Sequence, residues 1–342
     1  MNEAVFPILG PLIVIALVLP ASALSAKLLL LALSRWGSEP SLHVHQGLRY
    51  AILVLSSAVP LAWFISASLH QAETGRSVLV CTAEHSPSGD CAEAAYFSLA
   101  LSGVALLIGV PRMLWNRLVL RGSKTQRALA AQARVQRIIG EHARLAPLNG
   151  RVLTLDQASA PIATIGLLAP RVVLQSAFAE SLDDESLAGA LYHELQHFLE
   201  LDPLRYFVGW WALAVNPLGS WLLRGDYARW LLAREAHCDR HAVLAGACPT
   251  ALAKALVVAA RPPTRPLLAT LGSPEVEAVR LRLGLLLAYA DRAPRRCSHG
   301  PGLRLVVAAL VLVLALPHGG GTHALDALHA ATERGLAFVA GP

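Results

Sequence analysis

His193-Glu194-Leu195-Gln196-His197 sets two imidazoles four residues apart, with a carboxylate beside the first. On a helix, positions i and i+4 lie one above the other, so both rings reach one metal ion while Glu194 stands beside the coordination position they leave open. This HExxH pattern suits metal-assisted hydrolysis, with neutral nitrogens for a zinc ion and a carboxylate that takes a proton from water. Further along, Glu235 and Asp239 repeat the i, i+4 spacing. Glu235 would supply a third ligand and leave a fourth position for a water whose pKa falls toward about 7. Asp239 would accept from the outer ring nitrogen of a ligand histidine and fix its orientation. Taken alone, the two carboxylates also fit a solvated helix face tied to Arg234 and Arg240. The expectation is one zinc ion per chain, held by His193, His197 and Glu235, with Glu194 catalytic. His237 and His241 lie off the Glu235–Asp239 face and are expected at the surface.

The elements that must position these groups follow from pattern. Ser181 to Leu187 reads as a helix start, with acids in the first turn and Leu187, Ala190, Leu191 and Leu195 along one face, so HExxH falls on a helix. Arg151 to Leu155 and Arg171 to Leu174 have strand character, and Pro161 to Gly166 between them forms an exposed edge. Ile162, Ala163, Thr164 and Ile165 on that edge are expected to bind substrate as an added strand, since main-chain hydrogen bonds hold a scissile peptide extended. Arg121 to Ala146 predicts a basic, solvated helix near anionic headgroups. Arg261 to Pro274 is a Pro-rich loop, and Glu275 to Ala290 a further helix.

Tyr206 to Leu223 is constrained by the chemistry on either side of it. As one helix its eighteen residues would rise about 27 Å, enough to carry Glu235 across a bilayer from His193 and His197. The three ligands would then never meet, so the stretch must return to its own side. Asn216-Pro217 is placed to break it into a helical hairpin over 203–232, with Asp202 as N-cap and Pro203 in the first turn. Trp210, Trp211, Trp221 and Trp230 suit a protein core and a membrane interface alike, so the hairpin either packs on the zinc helix or dips into the interface.

Composition points to a membrane protein: 55% of the 342 residues are hydrophobic and 15% charged, with mean hydropathy +0.50. Apolar runs from Ala4 to Ala26, Ala51 to Leu69, Ala94 to Pro111 and Leu303 to Pro317 predict four transmembrane helices. Lys27 and Arg304 are expected to snorkel to the interface. The first run is long and has Glu3 where a signal peptide would be basic, so it is read as retained. Residues 1–120 thus hold three spans and 300–318 the fourth, with the zinc domain at 121–299 and a tail at 319–342. Nine arginines and lysines from Arg112 to Arg151 face one acid, Glu141, which places the catalytic segment in the cytoplasm and both termini outside a bacterial-type inner membrane. The loop 71–93 is acidic and carries Cys81 and Cys91; facing the oxidising side they form a disulfide worth ~2–3 kcal/mol, or remain two free thiols. The net charge of +6 calls for anionic lipid rather than nucleic acid.

His193 to His197 followed by Asp202, then Asn216-Pro217, then Glu235-Ala236-His237-Cys238-Asp239, resembles the BlaR/MecR family of membrane metallopeptidases. Pro161 to Leu174 looks like that family's strand region ahead of its catalytic helix. The resemblance implies a mainly α membrane protein with a cytoplasmic α+β mini-gluzincin domain. Its activity would be a zinc endopeptidase that cleaves a cytoplasmic protein, a transcriptional repressor among the candidates, and also cuts itself, here between Arg261 and Ser273. Cys238 matches the family's non-ligand cysteine and is read as a small buried residue. The chain departs from the best-known members after its last apolar run: His318 to Pro342 are too few for a penicillin-binding sensor, and no Ser-x-x-Lys occurs. Covalent β-lactam binding is therefore not expected. The HtpX and CAAX prenyl-protease group shares HExxH and a later Glu with an Asp four on, but usually has alanine at the position of Cys238. A quality-control peptidase of that kind is the alternative, and a zinc-holding sensor without turnover a third, which the intact Glu194 disfavours.

Overall fold

The computed structural model describes residues 14–36, 46–74, 103, 104, 107, 125–158, 160–260, 274–291 and 302–315. Cys81 and Cys91, most of the third predicted span, the Pro-rich loop and the tail lie outside them. The described chain is mainly helical with one small mixed sheet.

Helix α1 (Leu19–Trp36), entered by a π-helical turn at Val14–Val18, pairs with α2 (Gln46–Thr74), where the Ser22 hydroxyl donates to the Ser56 carbonyl. Two of the described helices, not four, are long and apolar enough to cross a membrane, over Ile15–Arg35 and Gln46–Ser66. The predicted fourth span appears as Gly302–Ala315, fourteen residues, which rise only about 21 Å against a hydrocarbon core of roughly 30 Å. Of the first window 22% is buried and of the second 61%, so α1 shows leucines outward while α2 is enclosed by its neighbours.

The second part begins with α3 (Gln126–Glu141), capped by Thr125, whose hydroxyl accepts from Ala128 N at 3.2 Å. Ala131, Val135, Ile138 and Ile139 are buried on one side of it. Its arginines are paired at the surface: Arg127 with Glu180, and Arg134 and Arg137 both with Asp184. A 3-10 turn (Ala143–Leu148) leads into β1 (Val152–Leu155), β2 (Ile162–Ile165) and β3 (Arg171–Gln175). The strand order is β1-β3-β2, with β1 parallel and β2 antiparallel to β3, in register Val152↔Val172 and Ile162↔Leu174. β2 is thus an edge strand. Gly166 after it has φ +97°, and a Cβ there would lie 2.7 Å from the Ala169 carbonyl oxygen, so the turn to β3 requires glycine.

After α4 (Ser176–Ser181), α5 (Asp184–Leu199) starts at Asp183, whose carboxylate accepts from Ser186 N at 2.8 Å. Such a cap stabilises a helix by about 1 kcal/mol. α5 is enclosed along most of its length: Leu187, Leu191 and Leu195 join Val172, Leu174, Ile138 and Leu252 in one core. The chain then passes through a two-residue joint, Glu200-Leu201, with Leu201 at φ +53°, into α6 (Asp202–Val215). Asp202 is therefore the first helical residue and Leu201 the cap, not Asp202 as the sequence suggested. A reversal at Asn216-Pro217 and a short α7 (Gly219–Leu222) lead into α8 (Arg224–Leu244), followed by α9 (Pro249–Ala259), α10 (Pro274–Asp291) and α11 (Gly302–Ala315). The predicted hairpin exists, but its second leg is the first half of α8, the helix that also carries Glu235 and Asp239. Its apolar residues Leu213, Leu223 and Trp230 share a second core with Ala23, Leu30, Leu53 and Val54 of α1 and α2.

Candidate metal centre

α5 and α8 pack against each other, and this contact decides whether two separate motifs become one site. His193 Nε2 lies 3.0 Å from His197 Nε2, and Glu235 offers Oε2 at 3.4 Å from the first and Oε1 at 3.5 Å from the second. Both histidines are buried, while the Glu235 side chain remains 30% exposed. The three ligand atoms lie within 4.8 Å of one another, so the group can hold a metal ion.

The other nitrogen of each ring explains why a cation belongs there. His193 Nδ1 stands 2.8 Å from Asp239 Oδ1, and His197 Nδ1 stands 2.7 Å from Asp202 Oδ2. A carboxylate at Nδ1 holds the proton on that nitrogen and leaves Nε2 as a lone pair. Two lone pairs and a carboxylate then face one another, and the donors nearby, Tyr206 and Arg282, reach Glu235 rather than the two Nε2 atoms, an arrangement that favours a cation. The ionisation tendencies agree. Burial presses both rings toward neutrality, yet Asp239 and Glu235 around His193, and Cys238, Glu235 and Asp202 around His197, outweigh it and raise both. Burial raises the Glu235 carboxyl, but His197, His193 and Arg282 together hold it well below the usual carboxylate range. The charge demanded by this pocket is met by protons or by a metal ion, and the donor set fits the latter.

A second buried group, His197, Asp202 and Cys238, also brings its ligand atoms close together. It is the worse cation site, because Arg234 Nε already lies 2.6 Å from Asp202 Oδ2. Cys238 is fully buried, 3.5 Å from His197 Nδ1, and burial pushes its thiol up. It packs beneath the histidine as a thiol rather than facing the convergent Nε2 atoms.

Around this centre the structure adds partners that spacing did not identify. Asp202, fully buried, receives Arg234 and Arg205 (3.3 Å) as well as His197. Arg282, from α10, grips Asp239 through Nε (2.7 Å) and Nη2 (2.8 Å) and places Nη1 3.0 Å from Glu235 Oε2. The Tyr206 hydroxyl donates to Glu235 Oε1 at 3.1 Å, and burial keeps its phenol protonated well above its ordinary range. Arg234 pairs with Asp202 and Glu200, so the solvated-face reading of Glu235 and Asp239 fails for that arginine. His237 is buried, 3.3 Å from Glu200 Oε1, and its ring lies 4.1 Å from that of His241; it is no surface residue. Arg282 had only a helical context in the sequence to mark it, since its partners are more than forty positions away and reach it only when α10 packs on α8.

Glu194 is buried on α5, and Thr164 Oγ1 donates to its Oε2 at 2.6 Å. The edge strand β2 therefore touches the residue adjoining the metal-competent group. Of the predicted substrate residues, Ile162, Ala163, Thr164 and Ile165 are all half-buried on that edge. Comparison of the chain with protein-family models, curated proteins and solved structures gives no match.

Proposed function

We propose that this chain is a membrane-bound zinc endopeptidase that cleaves a cytoplasmic protein drawn out as a strand along β2. The observation that carries the reading is the convergence of His193, His197 and Glu235 with Glu194 next in the chain and an edge strand hydrogen-bonded to it. His193, His197 and Glu235 would hold zinc, which would supply a Lewis acid for the scissile carbonyl and lower the pKa of a water. Glu194 takes a proton from that water and delivers it to the leaving amine. Thr164 occupies Oε2 of Glu194, which orients the carboxylate and leaves Oε1 for the water. Asp239 and Asp202 hold the rings in the tautomer that ligation needs. A substrate strand added to β2 runs past Thr164, so the scissile bond is presented beside the general base. The two long apolar helices and the resemblance to BlaR/MecR peptidases support a membrane setting and a regulatory substrate such as a repressor.

The test is proteolysis by the full chain in liposomes, with casein as an unfolded probe. Zinc-loaded protein is expected to cleave it; chelation and Glu194→Gln are both expected to stop cleavage, while Glu194→Gln keeps one zinc per chain. Equal cleavage by Glu194→Gln overturns the proposal.

A further inference from the structure

Between Arg205 and Arg224 lie eighteen residues, Tyr206 to Leu223, without one charged side chain. They form most of α6, the Asn216-Pro217 turn and α7, the first leg and tip of a hairpin whose second leg is the start of α8, and three hydrogen bonds record how it lies on the two long apolar helices. Tyr50 OH donates to the Arg205 carbonyl (3.2 Å), and Ser57 Oγ donates to the Ala212 carbonyl (2.6 Å). Both partners advance by seven positions, so α6 runs alongside α2 in the same direction. At the tip, Asn216 Nδ2 donates to the carbonyl of Leu19 on α1 (2.7 Å). At the foot, Lys27 on α1 pairs with Asp226 on α8 at 2.5 Å. Leu19 and Lys27 are eight positions apart, so the tip stands about 12 Å further along α1 than the charged foot.

We infer that this hairpin is re-entrant: its tip is inserted among lipid acyl chains to about mid-bilayer, and charged residues at its foot mark the inner edge of the hydrocarbon. The inference rests on the membrane placement proposed above and settles which side of the hairpin meets what. Irregular backbone is tolerated at that depth only where protein satisfies it. Here Asn216 is 2% exposed, its Oδ1 accepts from Leu218 N (3.1 Å), and its carbonyl accepts from Gly219 N (2.9 Å). The two legs are locked together: Tyr227 OH donates to the Tyr206 carbonyl (2.9 Å), and a Cβ on Gly209 would lie 2.7 Å from the Tyr227 ring. What remains outward is mainly apolar, above all Trp221 at 79% exposure, and the exposed Ser220 turns its hydroxyl back to the Leu213 carbonyl (3.4 Å), so acyl chains are the fitting occupant. Charge returns at Arg205 and Arg224, which bound the uncharged stretch, and in the Lys27–Asp226 pair at the foot, where long basic side chains can reach the headgroups. Glu235 follows Asp226 by nine positions on the same helix, so the metal-competent group hangs within about 13 Å of the hydrocarbon edge. Substrates must then present their scissile segment close under the membrane.

The experiment reads tryptophan quenching in the full chain reconstituted in phosphatidylcholine vesicles, with bromine near the middle of the acyl chains in one set and iodide in the water of another. The emission lost in Trp221→Phe relative to wild type is the Trp221 component. It is expected to be strongly quenched by the brominated lipid and spared by iodide. Quenching by iodide but not by bromine overturns the inference, and so does a component untouched by both, which would mean that a second copy or another part of the chain covers the tip. Leu24→Trp, on the outward face of α1 (Leu24 is 51% exposed), separates the two levels of failure. If the emission it adds is quenched by iodide alone, the membrane placement itself falls. If that emission is quenched by bromine while Trp221 is not, only the re-entrant hairpin is lost.

Discussion

The two histidines of the metal centre are supported by the same sequence of groups, imidazole, aspartate and arginine, assembled in two different ways. On one flank His197 leans on Asp202, which holds Arg234; both partners are nearly inaccessible, at 0% and 3% side-chain exposure. On the other, His193 leans on Asp239, which holds Arg282 at 13%. The Asp202 flank is closed by the tight joint between α5 and α6 and by the hairpin behind it. The Asp239 flank is closed by α10, through Arg282. The first is a buried ion pair within the packed interior, the second a clasp between two helices. Removing one partner of an enclosed pair strands a charge, whereas a clasp near solvent can rehydrate.

The largest expected effect erases both flanks together. His197→Ala or Glu235→Ala should abolish stoichiometric zinc binding, measured by metal analysis of purified protein, because three ligands are the minimum for a catalytic site. Full zinc retention in His197→Ala would remove the ligand assignment and make the two flanks a purely structural network.

The comparison itself is tested by Asp202→Asn against Asp239→Asn. Both are expected to weaken zinc binding by about 10–100-fold, through loss of the partner that orients each ring. Stability should divide them. Asp202→Asn leaves Arg234, at 3% exposure, with Glu200 as its remaining partner and little access to water, and should cost about 3–5 kcal/mol in chemical unfolding. Asp239→Asn leaves Arg282 its contact with Glu235 and should cost about 1–3 kcal/mol. Equal losses would show that α10 is as firmly set as the α5–α6 joint.

Thr164→Val keeps the shape of the edge strand and deletes the hydroxyl that meets Glu194. Zinc content should be unchanged and kcat should fall by about 10-fold, the scale of one hydrogen bond to a charged group. A fall in zinc content instead would mean that Thr164 supports the fold of the site rather than the orientation of its base.

The smallest effect belongs to the surface. Arg127→Ala breaks an exposed pair with Glu180 and should leave the unfolding midpoint nearly unchanged, because solvent screens such a pair. Acid titration reads the same surface at Asp184, whose carboxyl Arg137 and Arg134 hold below its ordinary value. A lowered folded pKa contributes stability that is present above the ordinary aspartate value and is lost as pH falls through the lowered one. Asp184→Asn should flatten the acid limb of the unfolding profile slightly, and an unchanged limb would discount these pairs altogether.

HExxH, the Glu235–Asp239 spacing and the helix start at Asp183 were legible because each depends on neighbours within a few residues, where helix geometry alone sets which side chains share a face. The requirement that Tyr206 to Leu223 turn back was legible too, since the reach of a helix is fixed per residue and ligands of one ion cannot stand on opposite sides of a bilayer. The edge character of Pro161 to Gly166 was read from its place between two segments of strand character. The support of the centre did not follow. Asp202 looked like a helix cap because its local context is that of a cap, yet Leu201 takes the left-handed turn and sends the carboxylate inward to His197 and Arg234. Arg282, Tyr206 and Thr164 reach the site from three other elements, and His237 is buried by Glu200 and His241 rather than exposed. A single sequence specifies which residues can ligate, donate or cap, because those capacities are chemical. Which of them meet is decided by helix packing, where many small contacts across long separations fix one arrangement, and only that arrangement turned two motifs into one metal-competent centre.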